Sequence, residues 1–306
     1  MPNNKIIKGV FLVGLGATSY GMLATFVKLA YQEDFTTAEV TSAQFIYGII
    51  GILLINLFQK KNTKTTIVKA SKKNILQLML AGTSLGMTSV FYYLCVKYIN
   101  VSIAIVLLMQ TVWIGVLLEW FLDKKAPSKQ KIVAVIVVLI GTLLATNLLN
   151  SKVEMDWRGF LFGMLAAGSF TTTMFTANKI ALGISSAQRS LYMLLGGAII
   201  VFGFALFTQI TPFNFAIFSK WGIILALFGT IIPPMLMNSG FPNTGLGLGS
   251  IVSSLELPVS VMMAYFILKE TVIFSQWFGV LLIIFAIIIM NINFKREKQT
   301  IRREKK

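Results

Sequence analysis

The chain contains no histidine. That absence removes imidazole acid–base chemistry, haem ligation by imidazole and most zinc sites. Cysteine occurs once, as Cys95, so neither an intrachain disulfide nor a cysteine metal cluster can form. Charge is scarce: 12% of residues carry it, roughly half the share in a soluble domain. Acids are scarcer still, at 11 Asp and Glu against 27 Lys and Arg. The net charge of +16 would suit nucleic acid. The basic residues lie in connectors and tails instead of on one folded face, so nucleic acid is not an expected partner. No Walker or zinc spacing is found, and neither a metal nor a cofactor is expected. Gly82-Thr83-Ser84-Leu85-Gly86 fits G-x-S-x-G, but it lies inside an apolar run in a chain without histidine. That motif needs a strand–turn–helix context and a histidine partner, so the match is set aside.

What is present is apolar. Hydrophobic residues make up 56% of the chain and the mean hydropathy is +0.79. Ten stretches of about bilayer length follow one another, at 9–30, 37–58, 74–95, 100–121, 130–149, 157–178, 187–208, 216–237, 245–268 and 272–293. A spanning helix needs about 20 such residues, because the hydrocarbon core is about 30 Å deep and each residue rises about 1.5 Å. The expected fold is an all-α multi-pass membrane protein of ten transmembrane helices. Lys5 and Lys8 precede a first run too long for a signal-peptide core, and no small-x-small cleavage site follows, so that run is read as an anchored helix.

Counting Lys and Arg on alternate sides gives 21 of the 27 on the side holding the N-terminus, connectors 2–3, 4–5 and 6–7, and the tail. Connector 6–7 contributes Lys179 and Arg189 to that count. Short basic connectors favour the cytoplasm, so both termini are expected there, in the plasma (inner) membrane. The basic tail is read as topogenic and lipid-facing.

The two halves resemble each other. Residues 109–146 align without gaps on 255–292, so that Gln110 faces Glu256, Gln130 faces Gln276 and Leu122 faces Leu268. Gly9-Val10-Phe11 and Gly159-Phe160-Leu161 each open an apolar run, closed by Lys28 and Lys179. Two five-helix repeats, 1–150 and 151–306, are expected to form one membrane domain. Five is odd, so the second must insert upside down. Inverted repeats are a transporter signature, with the substrate site at their interface near the midplane.

The stretch FYYLCVKYINVSIAIVLLMQTVWIGVLLEW at 91–120 has an aromatic pair, a short turn and a small-residue entry into helix 4. The stretch GLGLGSIVSSLELPVSVMMAYFILKE at 245–270 has a Glu and a Pro in mid-helix and a closing Glu. Both resemble the EamA-like group of the drug/metabolite transporter superfamily, and the resemblance runs through the whole chain. It implies a ten-helix transporter, commonly an exporter of amino acids or other small metabolites. Two departures are visible. The usual Glu-Pro pair is Glu256-Leu257-Pro258 here, and the first-half counterpart of the closing Glu270 is Lys124.

Glu256 is the sharpest feature, as a carboxylate at the centre of a span. A charged acid there costs about 2.5–3.5 kcal/mol on insertion scales. An acid that is neutral when buried and charged when hydrated or paired suits a proton carrier or an ammonium ligand. The competing reading is structural. Pro258 has no N–H, so the Ser254 carbonyl loses its helical partner and a protonated Glu256 can stand in. Gln110 is the mirror position, and Trp113, three residues on, shares its face. Trp113 is read either as packing or as part of the site. Pro233 and Pro234 are expected to free the Gly229 and Thr230 carbonyls in a helix ending at Asn238, where a broken backbone lines protein or a cavity. Tyr20, Tyr92 and Tyr93 are weaker candidates, because a buried hydroxyl finds either substrate or a neighbouring helix.

Three classes of function were weighed. A secondary transporter working by alternating access explains the repeat, the midplane polar groups and the helix breaks. Its expected partners are a small-molecule substrate, a proton and the bilayer, with a homodimer left open. A multidrug or nucleoside/sugar-type carrier of the same superfamily is the alternative. A membrane-embedded lipid-modifying enzyme would need a catalytic cluster near an interface, and the interfacial acids, Glu39 and Glu119 among them, are scattered. A channel would need a ring of like groups, which is not seen.

Overall fold

The computed structural model describes residues 2–62, 68–99, 101–124, 126–148 and 156–303. Among them every regular element is helical and no strand occurs. The expected repeat boundary at 150/151 lies outside the described residues. So do Lys64, Lys125, Lys152, Glu154, Lys305 and Lys306. Helices follow from the composition, since in lipid every backbone polar group must be satisfied within its own segment.

The elements are α1 (Pro2–Gln32), α2 (Thr37–Asn62), α3 (Lys72–Tyr98), α4 (Val101–Leu108), α5 (Thr111–Asp123), α6 (Lys129–Ala145) and α7 (Trp157–Lys179). They continue with α8 (Ser186–Thr208), α9 (Ile223–Ala226), α10 (Ile232–Thr244), α11 (Leu246–Ser253), α12 (Glu256–Phe266) and α13 (Phe274–Arg303). Two π-helical turns, Phe218–Gly222 and Leu227–Ile231, flank α9. Among the described residues, eight helical segments are long and apolar enough to cross a membrane, and α13 adds a shorter apolar stretch, Phe274–Met290. Polar residues start several of these helices. Ser71, Ser128 and Asp156 each cap a first turn, and Ser185 with Gln188 forms a capping box.

Three of the expected continuous spans are interrupted or redrawn. The span at 100–121 breaks at Met109–Gln110 into α4 and α5, and that at 245–268 breaks at Ser254–Leu255 into α11 and α12. The span at 216–237 does not stop at Asn238; it runs on to Thr244, so Asn238 sits inside α10. Pro233 and Pro234 stand in the first turn of α10, where a missing N–H is least costly. The turn before them widens instead, with Ile232 N–H donating to the Leu227 carbonyl.

Glycine lets the helices meet backbone to backbone. A Cβ at Gly82 would strike the Met193 carbonyl, one at Gly86 the Gly197 carbonyl, and one at Gly196 the Met79 carbonyl. The G-x-S-x-G match is therefore the face of α3 that docks on α8. Gly9 of α1 lies on Gly240 of α10, and Gly16 lies near Pro233 and Met237, so α1 and α10 are antiparallel. Gly159 of α7 meets Ile99, and Thr173 bonds Ser84 at 2.8 Å, so α7 and α3 are antiparallel as well. Asn178 at the end of α7 donates to the Phe241 carbonyl at 2.7 Å. The C-terminus of α7 thus sits beside the N-terminus of α1, and these two helices run in opposite directions.

The main core draws Val13, Val112, Val138, Phe170, Phe241, Ile251 and Ala286 together from α1, α5, α6, α7, α10, α11 and α13. Outward-facing Leu54, Phe58, Ile199, Phe207, Leu281 and Phe285 are exposed, a surface suited to lipid. Glu39 ties the two halves together at one end. It is 2% exposed, and it accepts from the Thr36 N–H at 2.8 Å, the Asn214 N–H at 2.7 Å and the Gln209 amide at 3.1 Å. Glu39→Ala strands those donors, so a loss of about 1–3 kcal/mol is expected. Denaturation of purified protein in detergent measures it, and an unchanged midpoint would contradict the clamp.

Candidate functional site

The break between α11 and α12 is built from short hydrogen-bond steps. The Ser254 N–H donates to the Ile251 carbonyl, the Leu255 N–H to Val252, and the Leu257 N–H to Ser254, each three residues back. This corrects the expectation that Pro258 leaves the Ser254 carbonyl bare: Leu257 takes it at 3.2 Å. Glu256 therefore has no backbone duty to perform there. It opens α12, where the helix dipole favours negative charge. Its side chain is half-buried, and among the described residues it has neither a hydrogen bond nor an ion pair. Gly21 of α1 touches the Glu256 carbonyl, a contact that any side chain at position 21 would forbid. That approach brings Tyr20 into electrostatic range of Glu256, and Tyr92 on α3 reaches the same range. The rings of Tyr92, Tyr93 and Tyr31 continue from there in edge contacts.

The mirror position is arranged differently. α4 also gives way to α5 through a short step, at Met109–Gln110, so the two breaks coincide to within one residue in the 109–146 on 255–292 register. Gln110, unlike Glu256, is satisfied. Its amide N–H donates to the Val106 carbonyl at 2.9 Å, and its amide oxygen accepts from the Trp113 indole at 2.7 Å. Trp113 packs on the main core as well.

A cavity of about 20 Å³, room for about one water, lies between α1, α3, α7, α8 and α10. Tyr20, Phe170, Thr173, Pro234, Asn238 and Phe241 line it. The structure thus gathers Tyr20, Pro234 and Asn238 on one cavity and sets Tyr20 and Tyr92 in electrostatic range of Glu256. Gln110, at the break, and Trp113, in the first turn of α5, form a hydrogen-bonded pair of their own. The Asn238 amide N–H donates to Ser190 at 2.8 Å, while its oxygen is buried without a partner. Beside the Gly229 and Thr230 carbonyls, Ser19 donates to the Phe228 carbonyl at 3.2 Å and the Thr230 hydroxyl donates to the Gln44 carbonyl at 3.0 Å.

Two matches to the family model of EamA-like transporters, over residues 7–147 and 157–292, cover nearly the whole chain. The chain belongs to the EamA-like transporter family. It is a multi-pass membrane protein of the drug/metabolite transporter superfamily, which implies a small-molecule substrate and a bilayer around it. One similar solved structure, titled "Crystal structure of protein", is 11% identical with a TM-score of 0.77 and is matched over 92% of this chain and 96% of that one. At that identity the likeness speaks for the fold alone. No curated protein matches the chain.

In this EamA-like transporter the sequence reading misplaced one residue of consequence. Arg189 is not a free connector charge; it is 2% exposed. It donates to the Asn238 carbonyl at 2.6 Å, and to the Thr176 and Ala177 carbonyls at 3.0 and 2.6 Å. A cation at the negative end of α7 is favourably placed. The signal was present, since Arg189 falls inside the 187–208 span, but hydropathy cannot tell a buried guanidinium from a rim charge. The Thr111–Thr171 bond, at 2.7 Å and fully buried, carried no sequence signal.

Charge pairs mark both ends of the bundle. Lys28 pairs with Glu270, and Lys220 with Glu33 at 2.8 Å; Lys220 holds the Glu33 carboxyl below its ordinary range. At the other end Lys179 pairs with Asp123 at 3.3 Å, and Lys131 with Glu119. In the repeat register Glu119 and Lys131 fall on Tyr265 and Trp277, whose rings also meet, 5.5 Å apart.

Proposed function

We propose that this protein is a secondary transporter of ten helices in two inverted five-helix repeats, with both termini in the cytoplasm and the chain in the plasma (inner) membrane. Packing supports the inversion. Exchanging the first five spans with the last five turns the α1–α10 contact into α7–α3, and α1–α12 into α7–α5, while α2–α8 and α6–α13 map onto themselves. The opposed directions of α1 and α7 support it too.

The substrate is an amino acid or a similar small metabolite, exported by alternating access, with Glu256 exchanging a proton for the substrate or pairing with its amine. One observation carries this reading: Glu256 is a carboxylate in mid-span without a partner among the described residues, at a break whose backbone is already satisfied. Tyr20 and Tyr92 shape its surroundings, Asn238 offers an acceptor at the neighbouring cavity, and the breaks at Pro233, Pro234 and Pro258 let the spans move. Gln110 and Trp113 brace the mirror break.

The test is counterflow in proteoliposomes of purified protein, with radiolabelled amino acids, polyamines, nucleosides and cationic drugs as separate probes. Saturable, pH-gradient-dependent counterflow of an amine-bearing probe is expected. Counterflow of neutral nucleosides alone would transfer the site to the nucleoside/sugar class. Absence of counterflow with every probe would overturn the carrier reading.

A further inference from the structure

Alternating access needs two gates, and two ion pairs occupy mirror positions at opposite ends of the bundle. Lys28, near the C-terminal end of α1, pairs with Glu270, just past α12. Lys179, the last residue of α7, pairs with Asp123, the last of α5. The helices correspond, α1 to α7 and α12 to α5. Lys28 and Lys179 close the equivalent apolar runs, and in the 109–146 on 255–292 register Lys124 falls on Glu270 and Asp123 on Lys269. The carboxylate is thus displaced by one residue between the repeats, yet the bridge is made in both. Each bridge joins one half of the chain to the other. The environments match as well, with side-chain exposures of 52% and 43% for the first pair and 48% and 44% for the second.

The backbone repeats the same device at each of the four helix ends. Asp34 follows α1, Ala181 follows α7, Lys124 follows α5 and Lys269 follows α12, at φ of 63°, 51°, 52° and 57°. Left-handed backbone is uncommon in residues other than glycine, and it collects at switch regions. Of the five non-glycine residues described in that region, the remaining one is Asn147. Lys220–Glu33 has no ionic mirror, and Glu119–Lys131 lies within one half, so neither shares this pattern.

We propose that Lys28–Glu270 and Lys179–Asp123 are reciprocal latches, each holding one mouth of the carrier shut and breaking only when that mouth opens. The proposal rests on the transporter reading above. Both latches are made in this structure, the arrangement of an occluded carrier. A half-exposed ion pair suits the task because it is weak enough to break in every cycle.

The test places a single cysteine in the cavity, Thr173→Cys in a Cys95→Ala background. It follows labelling by a membrane-impermeant maleimide from either face, in right-side-out and inside-out vesicles. Lys28→Gln is expected to raise labelling from the face opposite the N-terminus by about fivefold and to lower it from the other, the shift that loss of one such pair permits. Lys179→Gln is expected to do the reverse. The exchanged pair Lys28→Glu with Glu270→Lys is expected to restore the original rates. Unchanged labelling in both single variants, a rise from the same face in both, or a swap that restores nothing would overturn the latches. Counterflow in the same vesicles separates the two ideas. Its absence in the parent protein defeats the carrier reading, whereas normal counterflow with unresponsive labelling defeats the latches alone.

Discussion

Glu256→Gln is expected to abolish pH-gradient-driven accumulation, by about 100-fold or more, which corresponds to about 2.7 kcal/mol. The substitution keeps the volume of the side chain and removes only its capacity to ionise. A charged acid at the centre of a span costs about 2.5–3.5 kcal/mol on insertion, and here no described side chain pairs with it. A residue retained for structure would show its bonds, as Gln110 does with Val106 and Trp113. The variant is therefore expected to melt within a degree or two of the parent, or slightly above it, because an unpartnered acid contributes no bond to lose. The measurement is radiolabelled uptake into proteoliposomes with an imposed pH gradient, together with a melting curve on the same preparation. Full gradient-driven flux in the variant would remove Glu256 from the mechanism. A large fall in melting temperature would return it to a structural role.

How far the sequence reached is clear at Glu256 itself. The register that set Gln110 against Glu256 was legible, because polar residues in apolar spans stand out and a gapless alignment fixes their spacing. The structure puts a helix break at both positions. Only one of those breaks has a proline near it. The α4–α5 break was invisible to propensity because no proline or glycine stands at Met109–Gln110. The helix holding Pro233 and Pro234 runs on to Thr244, past the end that its apolar run suggested. A sequence marks the missing N–H and does not say whether the turn before it will widen, as it does at Leu227–Ile231. Tyr20 was found as a polar tip in an apolar run. Its neighbourhood with Asn238 and Glu256 depends on Gly21 letting α1 approach α12, a property of two surfaces together.

Arg189 gives the opposite signature from Glu256. Arg189→Ala is expected to cost about 3–5 kcal/mol, since it leaves the carbonyls of Asn238, Thr176 and Ala177 buried without their charged donor. Each degree of that loss is shared among α7, α8 and α10, which the guanidinium joins at a single point. A midpoint lower by roughly 6–20 °C follows at about 2–4 °C per kcal/mol, read from thermal denaturation in detergent. Arg189→Lys keeps the charge but replaces a planar fork with one rotating ammonium, which cannot reach carbonyls on two helices at once. An intermediate loss is therefore expected for it. If the guanidinium were an exposed topogenic charge, both variants would melt like the parent and only membrane orientation would respond. A melting curve that separates Ala, Lys and Arg in that order, with substrate affinity unchanged in the surviving protein, assigns Arg189 to the scaffold. The expected result for Glu256→Gln is the reverse, a melting curve spared and gradient-driven flux lost.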